Sequence, residues 1–412
     1  MTVRPDRPVV LVANNFPPVR GGSAVVYGNL ARCAGARIIV VAPRISYLDG
    51  LPTIGWREHD RTKPYLTLRL ALLRTKMQAE ATEGISPTDW ARRVGFLLSD
   101  AWIRTRLAAL LFWLIAKYGA RTICVGELSA SGWILRLFGW LPGLRTLAYV
   151  HGEEITTEDR YDKNHARARK ALLACDAVVV VSRFTQGAVT RLLGQDAGKR
   201  IRLIENGVDT NRFTIAPKAE GLLEMYGLNG MFVFVSVCRL LEKKGVDNTL
   251  RAFAQLRADR TDIRYLIVGA GPYRAALDAL AQTLNLGGTA IFAGSVPEEE
   301  LADHYRLGDA FVMPNRELPN GDTEGFGLVF LEANGCGLPV IAGRDGGSTD
   351  AVQDGVNGLV VDGTSVDAIA AAMRRLYEDG ALRRQLRAHG LQAAAKAGWV
   401  EKTEVFLQLC DS

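Results

Sequence analysis

Two carboxylates, Glu324 and Glu332, stand eight residues apart in the run Asp322-Thr323-Glu324-Gly325-Phe326-Gly327-Leu328-Val329-Phe330-Leu331-Glu332. If Gly327 to Cys336 is helical, stopped by Gly337 and Pro339, eight residues rise roughly 12 Å. That separation is wide for a general acid/base pair but suits one extended ligand gripped at both ends. Between the carboxylates, the backbone N–H groups of Gly325, Phe326 and Gly327, with Leu328 next in line, lie at the positive end of the helix, where a phosphate or diphosphate is favoured. A sugar, a diphosphate and a ribose laid end to end would fit. The plainer reading is a buried amphipathic helix with Glu324 as its cap and Glu332 in a salt bridge.

Arg239 and Lys244 stand five apart just after the apolar run Phe232 to Val237. In a strand-to-helix loop, the planar fork of the first and the point charge of the second are well disposed to hold a diphosphate. An exposed basic loop is the plainer alternative, and it loses weight because the carboxylate pair lies in the same half of the chain. His151 follows the apolar run Leu147 to Val150, and ligand-facing groups of open α/β sheets gather at the carboxyl ends of strands. Gly21 and Gly22 open a helical pattern after the run Val9 to Ala13, where a backbone can approach a phosphate or sugar closely. Gly269, in Val268-Gly269-Ala270-Gly271-Pro272, invites a dinucleotide reading, but the third glycine and the ribose-binding acid are missing from their expected places.

The elements that must position these groups are short apolar runs separated by helical segments, the pattern of parallel, doubly wound sheets. A length of 412 residues implies two or three domains. The turn Asn206-Gly207-Val208-Asp209 is the expected hinge. Residues 1–207, with a returning helix at 394–412, then form one domain and 208–393 the other. The interval from Tyr47 to Met77 reads as loop, rich in Arg57, Arg61, Lys63, Arg69, Arg74 and Lys76. Trp90 to Tyr118 reads as a helix whose aromatics and arginines either pack a core or meet a bilayer interface, with core packing expected.

Hydrophobic residues make up 48% of the chain, enough to fill each core. The six cysteines form no Cys-x-x-Cys pair, which argues against a disulfide framework or zinc site and for a reducing, cytoplasmic compartment. The opening residues do not read as a signal peptide, and no run of eighteen apolar residues exists to span a bilayer. The net charge of +6 is unevenly shared: 30 Lys and Arg against 17 Asp and Glu in residues 1–205, and 20 against 27 in the rest. A basic first half points to an anionic partner: a phosphorylated acceptor, an acidic membrane or nucleic acid.

Assembled, these motifs resemble glycosyltransferase family 4. Its Glu-x7-Glu signature is matched by Glu324 and Glu332, and its Arg-x4-Lys pair by Arg239 and Lys244. His151 opens the family's His-Gly-x-Glu motif, Asn206 to Asp209 matches Asn-Gly-Val-Asp, and Gly21-Gly22 the N-terminal glycine loop. Within the family, Pro339 to Gly347 and Asp322 to Glu332 look similar to bacterial lipid mannosyltransferases of the phosphatidylinositol mannoside type. The chain departs from the pattern at Asp350, where Glu is usual, and at Gly335, where Ala is common.

The resemblance implies an α/β protein of the GT-B fold, with two Rossmann-like doubly wound domains facing across a cleft and a C-terminal helix crossing back. It implies retaining transfer of a hexose from a nucleotide diphosphate sugar, GDP-mannose or a UDP-sugar, to a hydroxyl of a lipid-linked, phosphorylated or glycan acceptor in envelope or exopolysaccharide synthesis. The catalytic set would be His151, Arg239, Lys244 and Glu324. The donor would be bound by Gly21, Gly22, Gly269, Gly325, Phe326, Gly327, Leu328 and Glu332. No metal and no cofactor beyond the co-substrate are expected, no nucleic acid is a partner, and the basic loop and aromatic helix would meet the anionic inner face of the cell membrane. The rivals are a sugar-nucleotide epimerase of the same fold, an NAD-dependent dehydrogenase using Gly269 to Pro272, and a catalytically silent nucleotide-sugar-binding protein.

Overall fold

Strands that are apolar throughout require burial on both faces, which parallel sheets covered by helices provide. A computed structural model of the chain, describing residues 7–46, 50–75, 90–157 and 162–412, shows two such sheets. The first contains β1 (Val9–Val12), β2 (Ile38–Pro43), β3 (Leu66–Leu70), β4 (Thr122–Val125), β5 (Arg145–Val150), β6 (Ala177–Val180) and β7 (Ile201–Leu203). Their order is β3-β2-β1-β4-β5-β6-β7, all parallel. The second contains β8 (Phe232–Val237), β9 (Ile263–Val268), β10 (Ala290–Gly294), β11 (Ala310–Met313), β12 (Val340–Gly343) and β13 (Gly358–Val361). It is again parallel, in the order β10-β9-β8-β11-β12-β13. In each sheet the order reverses at the first strand, β1 or β8, and crevices at such reversals are where an open α/β sheet takes its ligands.

The helix Gly22–Ala34 buries Ala24, Tyr27, Leu30, Ala31 and Ala34, an apolar stripe at helical spacing. The last helix, Trp399–Asp411, packs against it and so returns to the first sheet. Thr122 Oγ1 donates to the Cys410 carbonyl at 2.9 Å, and Arg37 pairs with Asp411 at 2.8 Å. The Val208 N–H donates to the Ala397 carbonyl at 2.8 Å, which fastens the crossover to the segment between β7 and the Glu220–Met225 helix, where the hinge was expected.

Two expectations need correction. The interval expected to be loop holds the helix Trp56–Arg61 and the edge strand β3, paired parallel to β2; Tyr47 and residues 76 and 77 lie outside the described residues. Arg69 on β3 is no free surface cation, because it is buried against Asp60 at 2.8 Å. A charged residue at an inward position hid the strand's alternation. The segment Trp90–Tyr118 is indeed one helix, but core packing holds for Leu107, Leu111 and Leu114, whereas Phe96, Leu97, Leu98, Trp102, Phe112 and Trp113 are exposed. Its apolar residues run round more of the circumference than one contact stripe can bury. Among the described residues no helix is long and apolar enough to cross a membrane.

Candidate functional site

The loop leaving β8 carries the paired cations. Arg239 is exposed and has no ion-pair partner among the described residues. Lys244 folds onto Glu324, its Nζ donating to Oε2. Burial pushes the Glu324 carboxyl up, but the Lys244 and Lys243 ammonium groups and the Phe326 amide together hold it below the ordinary range. Lys243, which the motif reading passed over, is buried. Its Nζ donates to Asp322 at 2.7 Å, to the Thr323 carbonyl at 3.1 Å and, across the cleft, to Glu153. Burial pushes this ammonium down, but Glu153 and Asp322 more than offset that.

Backbone contacts fix this loop. The Arg316 N–H donates to the Lys243 carbonyl at 2.9 Å, and Gly245 is at φ 73° with room for no side chain, a Cβ there standing 2.1 Å from the Pro314 carbonyl oxygen. A Cβ on Gly269 would stand 1.9 Å from the Cys238 carbonyl oxygen, and one on Gly271 2.2 Å from that of Leu240. Both glycines are accounted for by packing under the Arg239 loop, without any dinucleotide.

The helix after β11 spans Leu328–Gly335, with Gly327 at φ 88° before it. Glu324 therefore lies in the preceding loop. Glu332 is buried on the helix and accepts from the Tyr305 hydroxyl at 2.6 Å; burial raises its carboxyl, and that hydrogen bond opposes the rise. The plainer reading of this segment does not hold: Gly327, not Glu324, stands at the cap, Glu324 is ion-paired to Lys244, and Glu332 is hydrogen-bonded to a neutral phenol rather than salt-bridged. Gly335 has its own cause, since a Cβ would stand 2.7 Å from the Phe213 carbonyl oxygen.

In the first lobe, His151 follows β5 directly. Its Nε2 lies 2.7 Å from the Tyr27 hydroxyl, and its ring stacks on Tyr149 with centroids 5.4 Å apart. Burial holds its pKa down at about 4, so the imidazole is neutral. The Glu154 carboxylate accepts from the His151 and Gly152 amides at 3.2 and 3.1 Å, and burial raises it to about 7. Glu127, beyond β4, accepts from the Asn15 amide at 3.0 Å and is likewise raised to about 7 by burial. A side chain at Gly21 or Gly22 would meet nothing within 4 Å, so packing does not demand these glycines.

The lobes meet at backbone distance. A Cβ on Gly325 would stand 2.1 Å from the His151 carbonyl oxygen, and one on Gly347 2.9 Å from the Ser182 Oγ. Asp350 accepts from the Arg183 and Phe184 amides at 2.9 and 3.4 Å, at the start of the helix Arg183–Leu193. The shorter acid at this position therefore still reaches the opposite lobe. The structure brings His151, Gly152, Lys243, Glu153 and the Glu324-Gly325 loop together, whereas Glu332 and Gly269 belong to the body of the second lobe. Sequence reasoning missed Tyr27, Glu127, Glu153, Lys243 and Tyr305. Gly126-Glu127 after β4 repeats the strand-end pattern that singled out His151 and was findable; Tyr27 carries no local sign beyond its place on an apolar stripe.

Two parallel α/β lobes closing on one cleft define the GT-B class of glycosyltransferase. Solved structures share this architecture: HepE of Anabaena in complex with UDP matches with a TM-score of 0.75 at 18% identity, covering 98% of this chain and 99% of that one. Sucrose-phosphate synthase of Thermosynechococcus elongatus matches with a TM-score of 0.73 at 22% identity, covering 98% of each. The model for Glycosyltransferase Family 4 matches residues 20–212, and that for Glycosyl transferases group 1 matches residues 227–392. The GDP-mannose-dependent alpha-(1-6)-phosphatidylinositol monomannoside mannosyltransferase of Mycolicibacterium smegmatis is 32% identical over 377 residues, 90% of this chain and 89% of that one. A D-inositol 3-phosphate glycosyltransferase of Acidothermus cellulolyticus is 31% identical over 69% of this chain and 63% of its own. The chain belongs to glycosyltransferase family 4 and is a glycosyltransferase.

Proposed function

We propose that this enzyme transfers mannose, with retention of configuration, from GDP-mannose to a hydroxyl of an inositol-phospholipid glycan. The reading is carried by the cationic loop of Arg239 and Lys244, whose Lys244 pairs with Glu324 beside Gly325, where the second lobe meets His151 of the first. Similarity over nine-tenths of the length to the mycobacterial mannosyltransferase, which is named as GDP-mannose-dependent, supports this choice of donor and acceptor.

Charge must be stabilised twice in such a transfer: negative on the departing diphosphate and positive on an oxocarbenium-like ring. Arg239 and Lys244, with amides near Gly325 to Gly327, would take the negative charge. Glu324 would hold sugar hydroxyls, Glu332 the ribose and His151 the sugar near its reacting carbon, with Gly21-Gly22 leaving space above the phosphates. In this front-face route the acceptor oxygen bonds to the anomeric carbon as the bond to the diphosphate breaks, and the acceptor's proton passes to the leaving phosphate oxygen. No metal enters this scheme, and full turnover in excess EDTA is the expected outcome.

A thermal-shift comparison of GDP, UDP and ADP tests the donor. Stabilisation by GDP above the others is expected; stabilisation by UDP alone would overturn GDP-mannose. Product NMR reads the anomeric configuration directly. The exposed face of the Trp90–Tyr118 helix supports a lipid acceptor, with Leu98 and Trp102 about two-thirds exposed and the Arg106 guanidinium over the Trp102 ring at 5.8 Å. Lys117 lies over the Trp113 ring at 4.5 Å, as amphipathic pairs do at a bilayer interface. Co-sedimentation with anionic vesicles, lost in Leu98→Glu/Trp102→Glu, is the expected result; equal, negligible binding to anionic and neutral vesicles would end the membrane reading.

A further inference from the structure

His151 sits in a pocket made by two tyrosines. Tyr149 lies against one face, and Tyr27, fully buried on the Gly22–Ala34 helix, meets the ring edge-on with centroids 5.2 Å apart. The Tyr27 hydroxyl touches two groups, His151 Nε2 at 2.7 Å and the Gly126 carbonyl oxygen. A carbonyl oxygen can only accept, so the single hydroxyl proton goes to Gly126. The hydroxyl's remaining role toward the imidazole is acceptor, and Nε2 must carry the proton. Nδ1 has no partner among the described residues and is not among the buried unpaired atoms, so its lone pair is open at the end of β5.

We propose that Tyr27 is a positioning residue that locks His151 as the Nε2–H tautomer, so that Nδ1 meets the donor sugar as a hydrogen-bond acceptor. The second half of this statement rests on the donor role proposed above for His151. It gives the histidine a defined polarity: it receives a hydrogen bond from a sugar hydroxyl and gives no proton to the leaving phosphate. It also explains the glycine before Glu127, since a Cβ on Gly126 would stand 2.6 Å from the Tyr27 hydroxyl and drive the ring away.

The test is a long-range 1H–15N correlation spectrum of the full-length chain labelled at histidine, with His151 assigned by the signal lost in His151→Gln. A protonated Nε2 and bare Nδ1 are expected. In Tyr27→Phe, which keeps the ring and removes the hydroxyl, the tautomer should average and turnover fall roughly five- to tenfold, the scale of one hydrogen bond. His151→Asn sets an amide oxygen near the place of Nδ1 and should retain more turnover than His151→Gln. A protonated Nδ1 in the wild type, or Gln equal to or better than Asn, would overturn the proposal. The spectrum is read without substrate, so a failed donor assignment leaves it standing, while a wrong tautomer sinks the Tyr27 inference even in an active enzyme.

Discussion

The loops carrying Arg239, Lys244 and Glu324 in the second lobe lie backbone against backbone, at Gly245, Gly269, Gly271 and Gly343, where any side chain would collide with a carbonyl. The first lobe holds His151 by side chains, the Tyr27 and Tyr149 rings, and leaves Gly21 and Gly22 over open space. The contrast teaches how a two-substrate enzyme divides its rigidity. A diphosphate is small, and its contacts are lost by an ångström's misplacement, so the lobe proposed to hold it is built on close backbone approaches. The lobe proposed to meet the acceptor is built from rings and an exposed apolar helix, which can vary without disturbing the diphosphate site.

The comparison breaks first at Lys244 and Glu324. Lys244→Ala and Glu324→Ala should each lower turnover by about 10² or more with the fold intact by circular dichroism. Near-wild-type transfer in either would remove the second lobe's claim to the charge chemistry. Gly325→Ala comes next. Its methyl would strike the His151 carbonyl, so the lobes cannot close as they do here, and turnover should fall by roughly 10 to 10². A solution-scattering profile more open than that of the wild type would accompany it; unchanged scattering and rate would show that the lobes meet elsewhere.

The smallest effect sharpens the contrast from the other side. Burial raises the Glu127 carboxyl in the folded protein from 4.5 to about 7. A raised acid stabilises the fold fully below its unfolded pKa and loses that contribution as pH rises through the folded value, so stability should decline from about pH 4.5 to about pH 7. Glu127→Gln keeps an acceptor for the Asn15 amide and should flatten part of that slope in melting curves. Glu154, also raised to about 7, should account for much of the remainder. An unaltered slope in Glu127→Gln would mean that this carboxyl is not desolvated as the packing requires.

The alternating pattern of apolar runs and helices was legible because each parallel strand is buried on both faces and shows it in a few consecutive residues. β3 was not, because Arg69 points inward and its cost is met by Asp60, nine residues away in sequence, rather than by any apolar neighbour. The exposure of the Trp90–Tyr118 helix was misjudged for a related reason: an apolar residue records what it would prefer, not whether a partner surface exists.

Types and spacing alone determined the α/β class, the spacing of Glu324 from Glu332 and of Arg239 from Lys244, and a histidine at a strand end, since these are properties of short, contiguous stretches. Only the tertiary structure decided that Lys244 neutralises Glu324, that Lys243 spans the cleft to Glu153, and that Tyr27 faces His151 from 124 residues away. Hydrogen bonds and ion pairs act over a few ångströms, and the chain alone does not say which distant residues the fold will bring within that reach.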